Sequence, residues 1–179
     1  MKRSEVDREK ISPMMKQYLE IKDKYEDTII FFRLGDFYEM FFEDALTCSK
    51  ELELTLTGKN CGLEERVPMC GIPYHAYQGY LDKLIEKGYK VAICEQIQDP
   101  KEAKGMVERE VIQVVTKGTV LDNSLNAKDY NYIGSIYDFE YCFSVCYIDI
   151  STGYSYAFIL DHDLDKLLKE VMNLNIKEA

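Results

Sequence analysis

Hydrophobic and polar positions along the first forty residues predict a helix followed by a hairpin. Apolar residues recur at helical spacing between Ile11 and Tyr25, after a Ser12-Pro13 start, and predict an amphipathic helix over 13–25. The β-branched and aromatic run 28–34 predicts a strand. Gly35-Asp36 is a two-residue loop of the kind that closes a tight hairpin, so 37–41 is the expected partner strand.

The pattern over residues 43–116 predicts further helices and strands on the same sheet. Helices are expected over 43–51 and over 74–87, the second ended by Gly88, and strands over 52–57, 89–95 and 107–116. A loop is expected over 58–73, because three glycines and two prolines fall within it. These elements predict an α/β chain of the α+β type, with a mixed sheet flanked by helices.

A change in the sequence pattern near residue 122 predicts two domains. We expect a mobile arm over 1–11, a first domain over 12–121, a polar linker over 122–130, and part of a second domain over 131–179. In this last part, three strands (132–137, 141–150 and 154–160) precede a helix at 163–174. Because these elements form only the opening of a domain, we expect the chain to be a piece of a longer protein.

Charge argues against a nucleic-acid partner. The net charge is −10, and residues 1–125, with 18 Lys/Arg and 23 Asp/Glu, carry −5 of it. Nothing in the composition resembles a basic nucleic-acid footprint.

Six cysteines without a CxxC pair, and only two histidines, predict no metal site. No apolar run reaches the 18 or more residues of a membrane helix, so no membrane partner is expected.

The predicted hairpin places two aromatic side chains and one carboxylate on the same face. Side chains alternate along a strand, so Phe37, Glu39 and Phe41 share a face. The residues alone leave three interpretations open. The two phenylalanines belong to the core beside a solvated Glu39; or Asp36 and Glu39 form an acid–base pair; or an aromatic wedge with a polar neighbour recognises a ligand.

Three segments, in order, resemble a known family. FFRLGDFYEMFFEDA, VPMCGIPYHAYQGYLDKLIEKGYKVAICEQIQDP and VEREVIQVVTKGTVLD resemble the N-terminal mismatch-binding domain of the MutS family. The resemblance covers about residues 12–122. Residues 131–160, with YIDISTGY, resemble more loosely the start of that family's connector domain, which implies a ribonuclease-H-like fold.

The resemblance implies a set of DNA contacts. The family's Phe-x-Glu motif falls on Phe37 and Glu39. It implies that Phe37 enters the minor groove and stacks on a mispaired or unpaired base, to which Glu39 hydrogen-bonds. Lys59 and Arg109 are then expected near phosphates and Met69 near the minor groove. Glu110 and Gln113 stand where a basic residue is common in the family, which weakens the expected phosphate binding.

The resemblance also implies partners beyond this chain. It implies a non-enzymatic binding module, because the family's ATPase, with its ATP and Mg²⁺, lies in a C-terminal part that this chain lacks. Mismatched double-stranded DNA, a second copy through other domains, and a MutL-type repair protein are the implied partners. The implied location is the bacterial cytoplasm, at the nucleoid.

Two other functions remain open from the residues. One is a metal-dependent nuclease or hydrolase that works through Asp36, Glu39, Asp138 or Asp149. The other is a protein-interaction domain that lost DNA binding but kept the fold, in which Phe37→Ala should be silent.

Overall fold

The computed structural model describes residues 3–98, 106–119, 132–150 and 152–179. The chain forms two compact units, Met1–Val115 and Thr116–Ala179. The predicted linker at 122–130 lies outside the described residues, as do residues 99–105. The predicted domain boundaries stay predictions. Within the described residues, no helix combines the length and apolar character needed to cross a membrane.

The first unit is built on a six-stranded mixed sheet. Its strands are β1 (Ile29–Leu34), β2 (Phe37–Phe41), β3 (Thr57–Lys59), β4 (Val67–Pro73), β5 (Val91–Gln96) and β6 (Arg109–Val115). Their order is β3-β4-β2-β1-β5-β6. The pairing of β1 with β5 is parallel, and the other four pairings are antiparallel. The predicted mixed sheet flanked by helices is confirmed.

Helices cover both faces of this sheet. They are α1 (Pro13–Lys24), α2 (Phe42–Glu51) and α3 (Tyr77–Glu86), the last preceded by a 3-10 turn at Tyr74–Ala76. Helix α1 packs on the face that carries Phe32, Phe41 and Cys94. On the opposite face, Tyr38 contacts Tyr77 of α3, and the Cys70 thiol donates to a carbonyl of α2. Burial on both faces accounts for the four consecutive apolar residues that begin each of β1 and β5.

Helix α1, the hairpin and the later strands and helices are confirmed within a few residues. Two predictions are wrong. Residues 52–56 contain no strand, because α2 ends at Glu51 and the chain then turns through Glu53, whose φ is +56°. Much of the predicted loop at 58–73 is strand β4, which pairs with β2 along five residues. Pairing with a neighbouring strand outweighed the local preference of its glycine and prolines for turns, and Pro73 is the strand's last residue.

The segment before α1 has defined contacts. Arg3 and Arg8 both bind Asp23 of α1, Ile11 is buried in the core, and the backbone N–H of Ser12 donates to the Cys61 carbonyl at 2.7 Å. Residues 3–11 therefore pack against the rest of the first unit. The mobility of this arm stays a prediction.

The second unit contains a three-stranded meander and one helix. Strands β7 (Tyr132–Asp138), β8 (Cys142–Asp149) and β9 (Ser155–Asp161) form an antiparallel sheet with β8 in the centre, and helix α4 (Leu164–Asn173) follows. Leu167 of α4 packs on Phe143 and Val145 of β8. The three strands and the helix are confirmed, and their assignment to a ribonuclease-H-like domain stays a prediction.

Candidate functional site

Phe37 stands at the tip of the β1–β2 hairpin. Leu34 pairs with Phe37, so only Gly35 and Asp36 form the loop, and the φ of Gly35 is +56°. A positive φ at this position favours glycine because it has no Cβ. The Phe37 side chain is 48% exposed, whereas Phe41 of the same strand is fully buried. The interpretation that both phenylalanines belong to the core is therefore wrong for Phe37.

Two hydrogen bonds hold the loop below Phe37. The Arg33 Nε donates to the Gly35 carbonyl at 2.6 Å, and the Tyr74 backbone N–H donates to the Asp36 carbonyl at 2.9 Å. Both peptide carbonyls of the loop thus accept bonds from the folded body. This arrangement limits the conformations available to the tip before any ligand binds.

A partly buried polar cluster supports the same strand from the other face. The Tyr38 hydroxyl donates to Glu95 of β5, and Arg33 binds the same carboxylate at 3.3 Å and covers the Tyr74 ring at 3.6 Å. Burial, and then the bond to Glu95, raise the pKa of Tyr38 well above its ordinary value, so the phenol stays protonated. The sequence contained no signal for this cluster, because Glu95 lies far from the hairpin along the chain.

Glu39 and Lys59, both predicted site residues, form an ion pair. The Lys59 Nζ lies 2.5 Å from Glu39 Oε2, and their side chains are 30% and 15% exposed. The two residues belong to β3 and β2, with β4 between them. Gly71 of β4 is the cross-strand partner of Glu39, and a Cβ at Gly71 would lie 3.6 Å from the Glu39 Cγ, in ordinary van der Waals contact. Proximity of these two side chains depends on β4, which the sequence pattern predicted as a loop.

Met69 lies on the same face as Glu39. It is the partner of Phe41 in the β2–β4 pairing and of Thr57 in the β3–β4 pairing. Its side chain is partly buried and packs against the core below α1. Phe37, Glu39, Lys59 and Met69 therefore share one face of the β2–β4–β3 end of the sheet.

Arg109 occupies a different environment. Its side chain is buried; Nε donates to the Arg33 carbonyl at 2.7 Å, and Nη1 donates to Gln17 at 3.0 Å and to the Val107 carbonyl at 2.8 Å. Its guanidinium also lies 5.1 Å from the Phe32 ring centre, and burial lowers its pKa. These contacts join β6 to α1 and β1. A phosphate contact by Arg109 stays a prediction, and the structure adds no support for it.

Replacement of Arg109 by methionine separates these two roles. We expect a loss of about 1–3 kcal/mol in the free energy of unfolding, because the partly buried Arg33 carbonyl loses its donor. Urea denaturation measures that loss. We also expect an unchanged salt dependence of DNA binding, whereas loss of a phosphate contact would reduce the slope of log K against log salt by about 0.9.

Three of the four carboxylates proposed for a metal-dependent reaction bind other side chains. Glu39 binds Lys59, Asp138 binds the exposed His162 at 3.0 Å, and Asp149 accepts a bond from Thr152 at 2.8 Å. Within the part of the chain that the structure describes, no group of three or more His, Cys, Asp or Glu side chains is arranged to hold a metal ion.

Comparison with known proteins gives consistent matches. The family model described as MutS domain I matches residues 12–124. Curated proteins named DNA mismatch repair protein MutS are similar to this chain: that of Listeria welshimeri is 57% identical over 171 residues, and that of Clostridioides difficile is 56% identical over 175. These alignments cover 93% and 97% of this chain. They cover 20% and 18% of the two relatives, so the chain spans about a fifth of their length.

Proposed function

The chain belongs to the MutS domain I family, and from this membership we propose that it recognises mismatched DNA for mismatch repair. In the proposed complex, Phe37 enters the minor groove beside a mispaired or unpaired base and stacks on it, and the duplex kinks around the inserted ring. Glu39 hydrogen-bonds to the same base.

The observation that carries this proposal is the exposed Phe37 on a firmly held hairpin. A large apolar side chain exposed at a loop tip, 48% accessible, does little for the fold. The hydrogen bonds to the two loop carbonyls and the Tyr38–Glu95–Arg33 cluster hold its backbone in place. An aromatic ring presented on a rigid support suits insertion between base steps, because little conformational freedom is lost on binding.

The energetics of inserting such a side chain favour sites with a mispaired or unpaired base. Partial unstacking of a base step costs a few kcal/mol, and smooth bending of a site costs on the order of 1–6 kcal/mol. Stacking of an aromatic side chain on a base returns about 1–3 kcal/mol. On intact duplex these costs exceed the return, whereas a mispaired base is already easier to unstack. Discrimination between mismatched and intact DNA then follows from the deformability of the DNA. Stacking on the aromatic ring does not depend on which base is present.

The remaining contacts are local. Lys59 is the proposed phosphate ligand and Met69 lines the minor-groove side, because both lie on the face that carries Glu39. Few phosphate contacts agree with the net charge of −10. Weak attraction to intact DNA is an advantage for a protein that must release every correctly paired site.

We further propose that the chain is the N-terminal part of a longer MutS protein of the bacterial cytoplasm, acting at the nucleoid. Its ATPase, with ATP and Mg²⁺, its dimer contacts and its MutL-type partner then belong to that longer protein. The present chain supplies the DNA-reading surface and no catalytic residue.

The proposal is tested by titrating the full-length protein with two labelled duplexes that differ by one extra thymine in one strand. We expect tighter binding of the duplex with the unpaired thymine, measured by fluorescence anisotropy at fixed salt without nucleotide. Denaturing gels of the same DNA with Mg²⁺ should show intact strands. Equal affinity for the two duplexes would refute the proposal, and strand cleavage by this chain would support the nuclease instead.

A further inference from the structure

We infer that Glu39 and Lys59 form an exchangeable ion pair, in which Lys59 leaves Glu39 for a DNA phosphate when an unpaired base donates to the carboxylate. This inference rests on the proposed function and adds to it a means of discrimination. It makes the phosphate contact of Lys59 conditional on the base contact of Glu39.

The starting point is the pair in the unbound protein. Glu39 and Lys59 are joined at 2.5 Å, and neither side chain is fully buried. Lysine is a single point charge on a flexible stem, so its ammonium can move to another anion without a change in the backbone. The pair lies on the face that carries the exposed Phe37, because Glu39 is two residues from it on the same strand. Insertion of Phe37 therefore brings DNA to the pair.

Intact duplex does not favour the exchange. The minor groove of an A·T pair presents only acceptors. If Lys59 moved to a phosphate there, Glu39 would be left without a donor at a partly buried position and next to further negative charge. An unsatisfied charged group of this kind costs more than an unsatisfied neutral group. Lys59 therefore stays on Glu39, and the protein makes one phosphate contact fewer.

An unpaired thymine reverses this balance. Its ring N–H is no longer bonded to a partner base and can donate to Glu39 in place of the ammonium. Lys59 is then free to contact a phosphate and to release a counterion. One base contact and one phosphate contact form together, so the preference for the unpaired base exceeds what stacking of Phe37 provides.

Salt dependence reports the exchange directly. For the wild-type protein, we expect the slope of log K against log salt to be steeper by about 0.9 on the unpaired-thymine duplex than on an A·T-centred homoduplex. A fourfold rise in salt would thus weaken binding of the first duplex about threefold more than binding of the second.

Glu39→Gln should free Lys59 on both duplexes. We expect higher homoduplex affinity and a homoduplex slope steeper by about 0.9, which removes the difference between the two DNAs. Lys59→Met should lower the slope only on the unpaired-thymine duplex. In the double variant, Glu39→Gln should no longer raise homoduplex affinity, so the two substitutions are not additive.

The matched control is another lysine–glutamate pair of the same unit. Lys87 binds Glu51 at 2.7 Å, at the ends of α3 and α2, so Lys87→Met removes the same kind of pair away from Phe37. It should leave both slopes unchanged, and Lys59→Arg should keep the wild-type slope difference.

Equal slopes on the two DNAs for the wild type, with additive effects of Glu39→Gln and Lys59→Met, would overturn the exchange. In that case, loss of preference in Phe37→Ala would still support the proposed function, whereas equal affinity of the wild type for the two duplexes would refute the function itself.

Discussion

Replacing Phe37 with alanine is expected to lower the preference for mismatched over intact DNA by about 5- to 150-fold. The stack of an aromatic side chain on a base contributes roughly 1–3 kcal/mol, and each 1.4 kcal/mol changes affinity tenfold. Affinity for intact duplex should change little, because its bases are not unstacked. Paired titrations of the full-length protein with the two duplexes measure the ratio.

The fold should tolerate this substitution, because half of the Phe37 side chain is already in solvent. Phe139 is a matched control: it is 45% exposed, lies in a turn of the second unit, and should be replaceable by alanine without an effect on the ratio. A Phe37→Ala protein that melts normally and still prefers the mismatch would exclude the wedge. The protein-interaction domain would instead be favoured if neither the wild type nor Phe37→Ala prefers the mismatched duplex.

Replacement of Lys22 by methionine is expected to cost about 3–5 kcal/mol of unfolding free energy near neutral pH, as for other broken buried ion pairs. Lys22 and Asp44 are both buried, and Lys22 Nζ lies 2.8 Å from Asp44 Oδ1 and donates to the Thr28 carbonyl at 2.6 Å. Asp44 also accepts from the Tyr18 hydroxyl and from the Ile30 backbone N–H. The pair thus joins α1, β1 and α2 beneath the hairpin.

The cost of this substitution should grow as the pH rises. Burial raises the pKa of Asp44, and Lys22 opposes that rise, so removal of Lys22 raises this pKa further. With a folded-state pKa above the unfolded value of about 3.9, the native variant binds its proton more tightly than the unfolded chain does. Its stability is therefore greatest below that unfolded value and falls as the pH rises toward the raised folded pKa.

Urea denaturation of both proteins at several pH values between 4 and 7 measures this trend. Lys87→Met serves as the control, because its pair with Glu51 is more exposed and its loss should have little effect on unfolding. A stability loss for Lys22→Met that stays the same across this pH range would contradict ionisation of Asp44 as its cause.

An element of the fold was predictable where the hydrophobic pattern of its segment matches the burial of its residues in the structure. Helix α1 has an amphipathic spacing, a proline start and a buried stripe, and the β1–β2 hairpin has a glycine with positive φ between two apolar runs. Strand β4 was missed, because Pro68, Gly71 and Pro73 resemble a loop in sequence. Its stability comes from pairing with β2 on one side and β3 on the other, and such pairing has no counterpart in a single segment.

The candidate site shows the same division between local and distant information. Phe37 and Glu39 follow from the family motif and from strand alternation, which both act over a few residues. Periodicity could not tell whether Phe37 lies in the core, because the exposure of a strand residue depends on which helix covers it. Arg109 resembled a surface cation in sequence, yet Gln17, distant along the chain, helps to enclose it.

The residue order alone thus established the hairpin, the motif on it and the family resemblance, because each depends on spacing within one short segment. The pairing of Glu39 with Lys59, the exposure of Phe37 and the burial of Arg109 required the folded chain. The physical reason is that charges and apolar surfaces act through space, and β4 brings together side chains that are twenty residues apart in sequence.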